Sequence, residues 1–304
     1  MLVALQGAFT QGILWGLLVL GVYITFRLLD IPDMTVDGAF ALGGSVVAVL
    51  IVNCGVDPIL ATLAGMLAGG VAGAVTGLLA TKFKIPAILA GILTQISLWS
   101  INLRIMGKSN TPLLANSTVF TGVSDALGVS QSTATLIVGA ILVVLVICVL
   151  YWFFGTEIGS ALRATGNNEH MIRALGQNTD TTKILALIIA NALVGLSGGL
   201  ICQSQKYADI GMGTGAIVIG LAAIVIGEVL GRLLPGGLTK FGSRLAAAIV
   251  GSIVYFLIRA IVLQLGMHAN DMKLLSAIIV ALALCVPVVV EKRRLRRSYT
   301  RGDE

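Results

Sequence analysis

Long apolar runs separated by short polar stretches organise this chain, and one polar interval is much longer than the others. A helix that crosses a bilayer needs about 17–25 mostly apolar residues. Nine runs approach that length: Ala8–Leu29, Gly38–Asn53, Pro58–Ala80, Pro86–Met106, Thr133–Phe154, Ile184–Gln203, Gly213–Arg232, Phe241–Gly266 and Met272–Val290. The pattern predicts an all-α, polytopic membrane protein with about nine spans, within a range of about eight to ten. The whole chain, residues 1–304, reads as a single transmembrane domain.

The long polar interval is Gly155–Lys183, GTEIGSALRATGNNEHMIRALGQNTDTTK, between the fifth and sixth runs. Asn168 is placed to cap a short helix Glu169–Leu175, and Gly176 to end it in a left-handed turn. Glu169 and Arg173 stand one turn apart and can pair on the wet side. Met171, Ile172 and Leu175 form a small apolar face. A helix this short is marginal alone, because nucleation costs more than one or two turns return. It needs support from the membrane domain or from a protein groove beyond it. Upstream, Arg163 offers a planar guanidinium suited to a carboxylate or carbonyl partner. An amphipathic linker lying on the membrane surface is the alternative.

Two shorter breaks mix acids with turn formers. One is Leu29–Gly38, LDIPDMTVDG, and the other Gln203–Gly215, QSQKYADIGMGTG. Each separates paired spans in its own half of the chain, and the expected topology has them enter from opposite faces. That is the pattern of inverted repeats with broken helices around a central path. Asp33, Thr35, Asp37 and Gly38 in the first break, with Asp209, Gly211, Gly213 and Gly215 in the second, are the candidate path residues. The competing reading is an ordinary interfacial loop in which Pro32 ends one helix and Asp37 or Asp209 caps or precedes the next. Arg259, inside the eighth run, is expected to snorkel outward or to pair with an acid such as Asp209.

Glycines predict how the spans pack. Gly65, Gly69, Gly73 and Gly77 lay one smooth stripe along the third run, and Gly12/Gly16, Gly195/Gly199 and Gly227/Gly231 repeat the spacing. Close packing inside one subunit is favoured over a dimerisation face.

Composition agrees with the pattern: 57% hydrophobic, 11% charged, with a mean hydropathy of +0.99. A soluble domain needs more charge to cover its surface. Lys and Arg set the orientation, because short cytoplasmic loops collect them. With the C-terminus inside, the outer face keeps Arg104, Lys108, Lys206, Arg259 and Lys273, leaving 20 − 5 = 15 on the inner face. The C-terminus and the Gly155–Lys183 interval are therefore cytoplasmic, and nine spans put the N-terminus outside. The first run lacks a basic lead and a cleavage site, so it reads as a retained span. The net charge of +6 needs no nucleic acid. Much of it lies in the basic tail, residues 291–304, where EKRRLRR fits anionic inner-leaflet lipid. Cys54, Cys148, Cys202 and Cys285 have no CxxC spacing and read as small buried residues.

The string Gly159-x-x-Leu162-Arg163-Ala164-x-Gly166-x-Asn168-x-x-x-x-Arg173-Ala174-x-Gly176-x-Asn178 resembles the cytoplasmic coupling segment of ABC importer permeases of the branched-chain amino acid and ribose permease family. The Asp-x-Thr-x-Asp-Gly-Ala-Phe run at Asp33–Phe40 and the glycine-rich Gly211–Gly231 region are similar to further stretches of that family. The resemblance covers roughly Gly12 to Val290. It implies a permease in the plasma (inner) membrane of a prokaryote, paired with a second copy or a paralogous permease. Cytoplasmic ABC ATPase subunits would dock on the coupling segment, Gly159–Gly176, binding ATP and Mg themselves. An extracellular or periplasmic solute-binding lipoprotein would deliver the solute. The Asp33/Asp37 variant resembles the tryptophan and tyrosine importer subgroup, which implies an amino acid substrate, aromatic by preference.

The chain has no ATPase site of its own. Its nearest phosphate-loop candidate, GRLLPGGLTK from Gly231, has Gly237 where the lysine should follow the second glycine. No HExxH or GxSxG motif suggests a hydrolase. Two other readings stay open at this point: a secondary transporter using Asp33, Asp37 or Asp209 as ion or proton carriers, and a scaffold subunit without transport.

Overall fold

A computed structural model describes residues 2–114, 116–233, 241–266, 271, 274, 276–282 and 285. The elements in chain order are α1 (Leu2–Tyr23), which runs into a π-helical turn Ile24–Leu28, then α2 (Thr35–Val52), α3 (Pro58–Thr81), α4 (Ala87–Met106) and β1 (Asn110–Pro112). They continue as α5 (Val119–Leu127), α6 (Gln131–Gly155), α7 (Glu157–Asn167), α8 (Glu169–Ala174), α9 (Thr179–Gln205), β2 (Tyr207–Asp209), α10 (Ala216–Leu233) and α11 (Phe241–Gln264). Seven of these helices are long and apolar enough to cross a membrane: α1 with its π turn, α2, α3, α4, α6, α9 and α11. The predicted ninth span, Met272–Val290, falls largely outside the described residues, as do the basic tail and residues 234–240.

Small residues let the central helices touch backbone to backbone. A Cβ on Gly69 would lie 2.3 Å from the Asn191 carbonyl oxygen, and one on Gly73 2.2 Å from that of Leu187. The glycine stripe of α3 thus faces α9 of the same subunit, as predicted. Gly12 of α1 meets the Ile253 backbone of α11, and Gly16 meets the Ile249 side chain. With no hydrophobic drive between helices in lipid, close contact of this kind holds the bundle through dispersion. A continuous buried cluster, including Leu14, Leu18, Val194 and Ala223, fills the space between α1, α9, α10 and α11.

The bundle has two polar ends. At one, Arg27 pairs with Glu228, the Arg163 guanidinium stacks over the Phe241 ring at 5.5 Å, and α7 lies across the end of α1. At the other, β1 and β2 pair antiparallel, Asn110 opposite Asp209. There α5 is closed by a reciprocal Thr118–Thr121 cap.

One packing expectation is corrected. Among the four cysteines only Cys202 is buried; Cys54, Cys148 and Cys285 are exposed on the outer faces of the bundle, and none forms a disulfide. On a membrane-spanning helix a small apolar thiol can face lipid as readily as core, so composition does not fix its burial.

Candidate functional site

The two broken segments meet inside the bundle. After the π turn the chain reverses, and Asp33 reaches Asn191, whose side-chain amide donates to Asp33 Oδ2 at 2.7 Å. Asn191 lies about 18 Å along α9 from Thr179, near the middle of that helix. The other oxygen of Asp33 accepts from the Thr35 backbone N–H at 2.9 Å and so anchors the start of α2. Helix α2 therefore begins deep in the protein. Its first turn is tied sideways by Thr35, whose hydroxyl lies 2.6 Å from that of Thr76 on α3. Thr76 in turn donates to Thr94 on α4 at 2.9 Å.

The second break descends from β2 to meet this point. Asp37, in the first turn of α2, accepts from the backbone N–H of Gly215 through Oδ2 and of Ile217 through Oδ1, both at 2.9 Å. An aspartate on one broken helix thus caps the N-terminus of the other, satisfying donors that no intrahelical partner can reach. Gly213 makes the approach possible: a Cβ there would sit 1.9 Å from the Asp37 carbonyl oxygen. Gly215 adopts φ +84°, the left-handed conformation that turns the chain into α10. The cap predicted for Asp37 exists, but on α10 rather than on its own helix. Gly38 packs against Leu98 and Gln95 of α4.

Between this seam and the β1–β2 end opens a cavity of about 950 Å³. Its wall includes Trp15, Phe40, Phe256, Arg259, Tyr207, Asp209, Gly211 and Gly215. Trp15 stacks against Phe40 at 4.8 Å and Phe256 at 5.5 Å, and its buried indole N–H has no hydrogen-bond partner among the described residues. Asp209 Oδ1 accepts from the Gly211 N–H at 2.8 Å. Arg259 lies over the Phe256 ring at 5.8 Å. Instead of snorkelling away, it faces the cavity, and no ion pair joins it to Asp209. Of the candidate path residues, Asp209, Gly211 and Gly215 line this cavity. Asp33, Thr35, Asp37, Gly38 and Gly213 do not; they build the seam beneath it. Trp15 and Phe256 were not among the expected site residues, and Phe40 entered only as the end of the Asp33–Phe40 run, since an aromatic in an apolar run carries no local signal of what it faces.

At the opposite end the Gly155–Lys183 interval folds into α7 and α8. Asn168 caps α8 by accepting from the Met171 N–H at 3.1 Å, and Gly176 follows with φ +82°. Glu169 pairs with Arg173 at 3.1 Å and Lys183 at 2.7 Å, while Arg173 also pairs with Asp180 at 3.1 Å. The hydrogen bond and charge of Lys183 hold the Glu169 carboxyl below its ordinary value. These bonds tie α8 to the start of α9. Leu162 and Ile172 are buried against the bundle. The predicted apolar face is split: Ile172 points inward, whereas Met171 and Leu175 are 57% and 69% exposed. Gly159 and Gly166 are packing positions, a Cβ on Gly166 lying 1.8 Å from the Leu28 carbonyl oxygen. Ala164 and Ala174 complete the two short helices.

A multi-pass helical bundle whose two broken segments meet inside it, with a cavity at one end and a tethered polar hairpin at the other, fits a membrane permease. Residues 4–284 match the family described as branched-chain amino acid transport system / permease component, and the chain belongs to it. It is 40% identical over 271 residues to a tyrosine transport system permease protein of Clostridioides difficile (strain R20291), covering 89% of this chain and 87% of that one. The ribose import permease RbsC of Escherichia coli (strain K12) is 27% identical over 84% of this chain and 76% of its own length. An inward-facing ABC transporter described as of metal-chelate type shares the fold, with a TM-score of 0.51 and 16% identity over 94% of this chain and 84% of that structure.

Proposed function

We propose that this chain is the permease subunit of an ATP-driven importer in a prokaryotic inner membrane, and that its solute is an amino acid with an aromatic side chain. The tyrosine permease at 40% identity supports the substrate class. The observation that carries the coupling is at α8: one apolar residue, Ile172, is seated on the bundle while Met171 and Leu175 project outward from an otherwise polar, ion-paired hairpin. Two apolar side chains held rigidly on a wet surface fit a groove on a separate protein. That protein is the cytoplasmic ABC ATPase, which binds ATP and Mg. A second permease copy or paralogue completes the path, and an external solute-binding lipoprotein supplies the solute. The grouping of Arg27, Arg163, Arg173 and Lys183 at the α7–α8 end supports its cytoplasmic placement. An ion-coupled transporter is less well supported, because the carboxylates of Asp33 and Asp37 are already held by internal donors and lie off the cavity.

The test is co-purification of the intact protein in mild detergent, wild type against Leu175→Asp. Arg163 is a poorer probe, since it stacks on Phe241 within the subunit. An ABC ATPase recovered with wild type and lost from a correctly folded Leu175→Asp, together with loss of ATP-driven uptake, is the expected result. Retention of the ATPase on the variant would remove α8 as the docking surface. Absence of any ATPase from wild type would favour ion coupling.

A further inference from the structure

The cavity at the β1–β2 end carries, on one wall or another, each group that a free aromatic amino acid presents a need for. We propose that it is a binding subsite for the zwitterion of such an amino acid, resting on the importer reading above. In it Arg259 takes the carboxylate, Asp209 takes the ammonium, and the Trp15–Phe40–Phe256 wall takes the ring.

Four observations converge. First, at about 950 Å³ the cavity falls in the range of small-molecule sites, roughly 300–1,000 Å³. Secondly, its two opposite charges are not neutralised by each other: among the described residues Arg259 forms no ion pair, and Asp209 commits only Oδ1, to the Gly211 N–H. A guanidinium placed within an apolar helix, facing a cavity and without an ion pair among the described residues, is a costly arrangement unless an anion completes it. Thirdly, three aromatic rings lie on the wall with Trp15 touching both Phe40 and Phe256, an arrangement that offers a ligand ring offset-stacked or edge contacts. The indole N–H of Trp15 lacks an acceptor on that wall, and a phenolic oxygen entering there would supply one. Fourthly, the floor is the seam made by Asp37, Gly213 and Gly215, where the two half-helices join. Gly215 is both a lining residue and a partner of Asp37, so occupancy of the cavity bears directly on the junction of the two repeats.

The experiment uses the full-length chain in lipid nanodiscs, with Trp99 and Trp152 replaced by Phe so that Trp15 is the one tryptophan emitter. L-tyrosine is titrated against tyramine, which lacks the carboxylate, and 3-(4-hydroxyphenyl)propionate, which lacks the ammonium. Saturable quenching by L-tyrosine is expected, with each analogue about tenfold weaker for want of one charge-assisted hydrogen bond. In Arg259→Gln the gap between tyrosine and tyramine should close while the gap to the propionate stays; in Asp209→Asn the reverse should hold. A purely structural role for either residue would lower all three affinities together and would not exchange the gaps. Absence of a saturable response in the parent protein, or gaps that survive both substitutions, overturns the subsite. If the ATPase still co-purifies and tyrosine is still taken up in an ATP-dependent way, the importer stands and the subsite alone has failed. Loss of both brings down the two readings together.

Discussion

The two polar breaks look alike in sequence and do different work in the fold. Leu29–Gly38 and Gln203–Gly215 each interrupt an apolar pattern with aspartates and turn formers. In the first, both carboxylate oxygens of Asp33 and of Asp37 have a donor: Asp33 holds Thr35 and Asn191, and Asp37 holds Gly215 and Ile217. In the second, Asp209 fixes a local turn through one oxygen and faces a cavity shared with Arg259. An acid in such a break is therefore a staple, or free to bind something else, according to whether its lone pairs are already taken. Burial alone does not distinguish the two, but the donor census does.

The contrast can be broken most sharply at its glycines. Gly213→Val would place a branched side chain on the Asp37 carbonyl, which a Cβ already approaches to 1.9 Å, and should abolish recovery of folded protein. Gly211→Ala, whose Cβ meets the Asp209 side chain at 3.2 Å, should give a monodisperse protein at near wild-type yield. Size-exclusion profiles in detergent compare the two directly. Equal yields would show that the seam is not closely packed.

Asp37 comes next. Asp37→Ala leaves the N–H groups of Gly215 and Ile217 without acceptors away from water, at about 1–3 kcal/mol each, and thermal unfolding in detergent should move down accordingly. Asp37→Asn keeps one amide oxygen and should lose about half as much. Uptake per folded molecule should then stay close to wild type. A stable Asp37→Asn protein with abolished uptake would make the first break a path element after all and erase the distinction drawn above.

The smallest effect is expected outside the membrane, where ion pairs are wet and contribute little. Glu169 titrates below its ordinary value because Lys183 bonds its charged form. A depressed carboxyl stabilises the fold above its unfolded pKa, and that contribution disappears as pH falls through the folded value. Hydrogen exchange across Glu169–Lys183 should accordingly rise at acid pH, and Lys183→Met should remove most of that dependence. An unchanged profile in the variant would show that α8 is held by Ile172 rather than by charge.

Much of the architecture was legible along the chain. Long apolar runs announced the spanning helices, the Gly65–Gly77 period announced a smooth seam, and Asn168 with Gly176 bracketed α8. Each is a local rule, since helix length, Cβ volume and capping depend on residues a few positions apart. What could not be read was which partner each feature would find. Asp37 was recognisable as a cap but not as the cap of α10, since its partner Ile217 lies 180 positions on. The aromatic wall was equally hidden, because Trp15, Phe40 and Phe256 come from three helices and resemble any other buried aromatics in their own runs.

The sequence by itself determined a multi-pass helical protein, its close-packed glycine faces, its tethered polar hairpin and the absence of a phosphate-loop lysine. All of these follow from side-chain volume, hydration and short-range geometry. Tertiary structure alone decided that the two breaks meet, that one aspartate seals the other half's helix, and that Arg259 and Asp209 share a cavity with three aromatic rings. Those outcomes depend on long-range contacts, in which a carboxylate away from water takes the nearest available donor, whatever its distance along the chain.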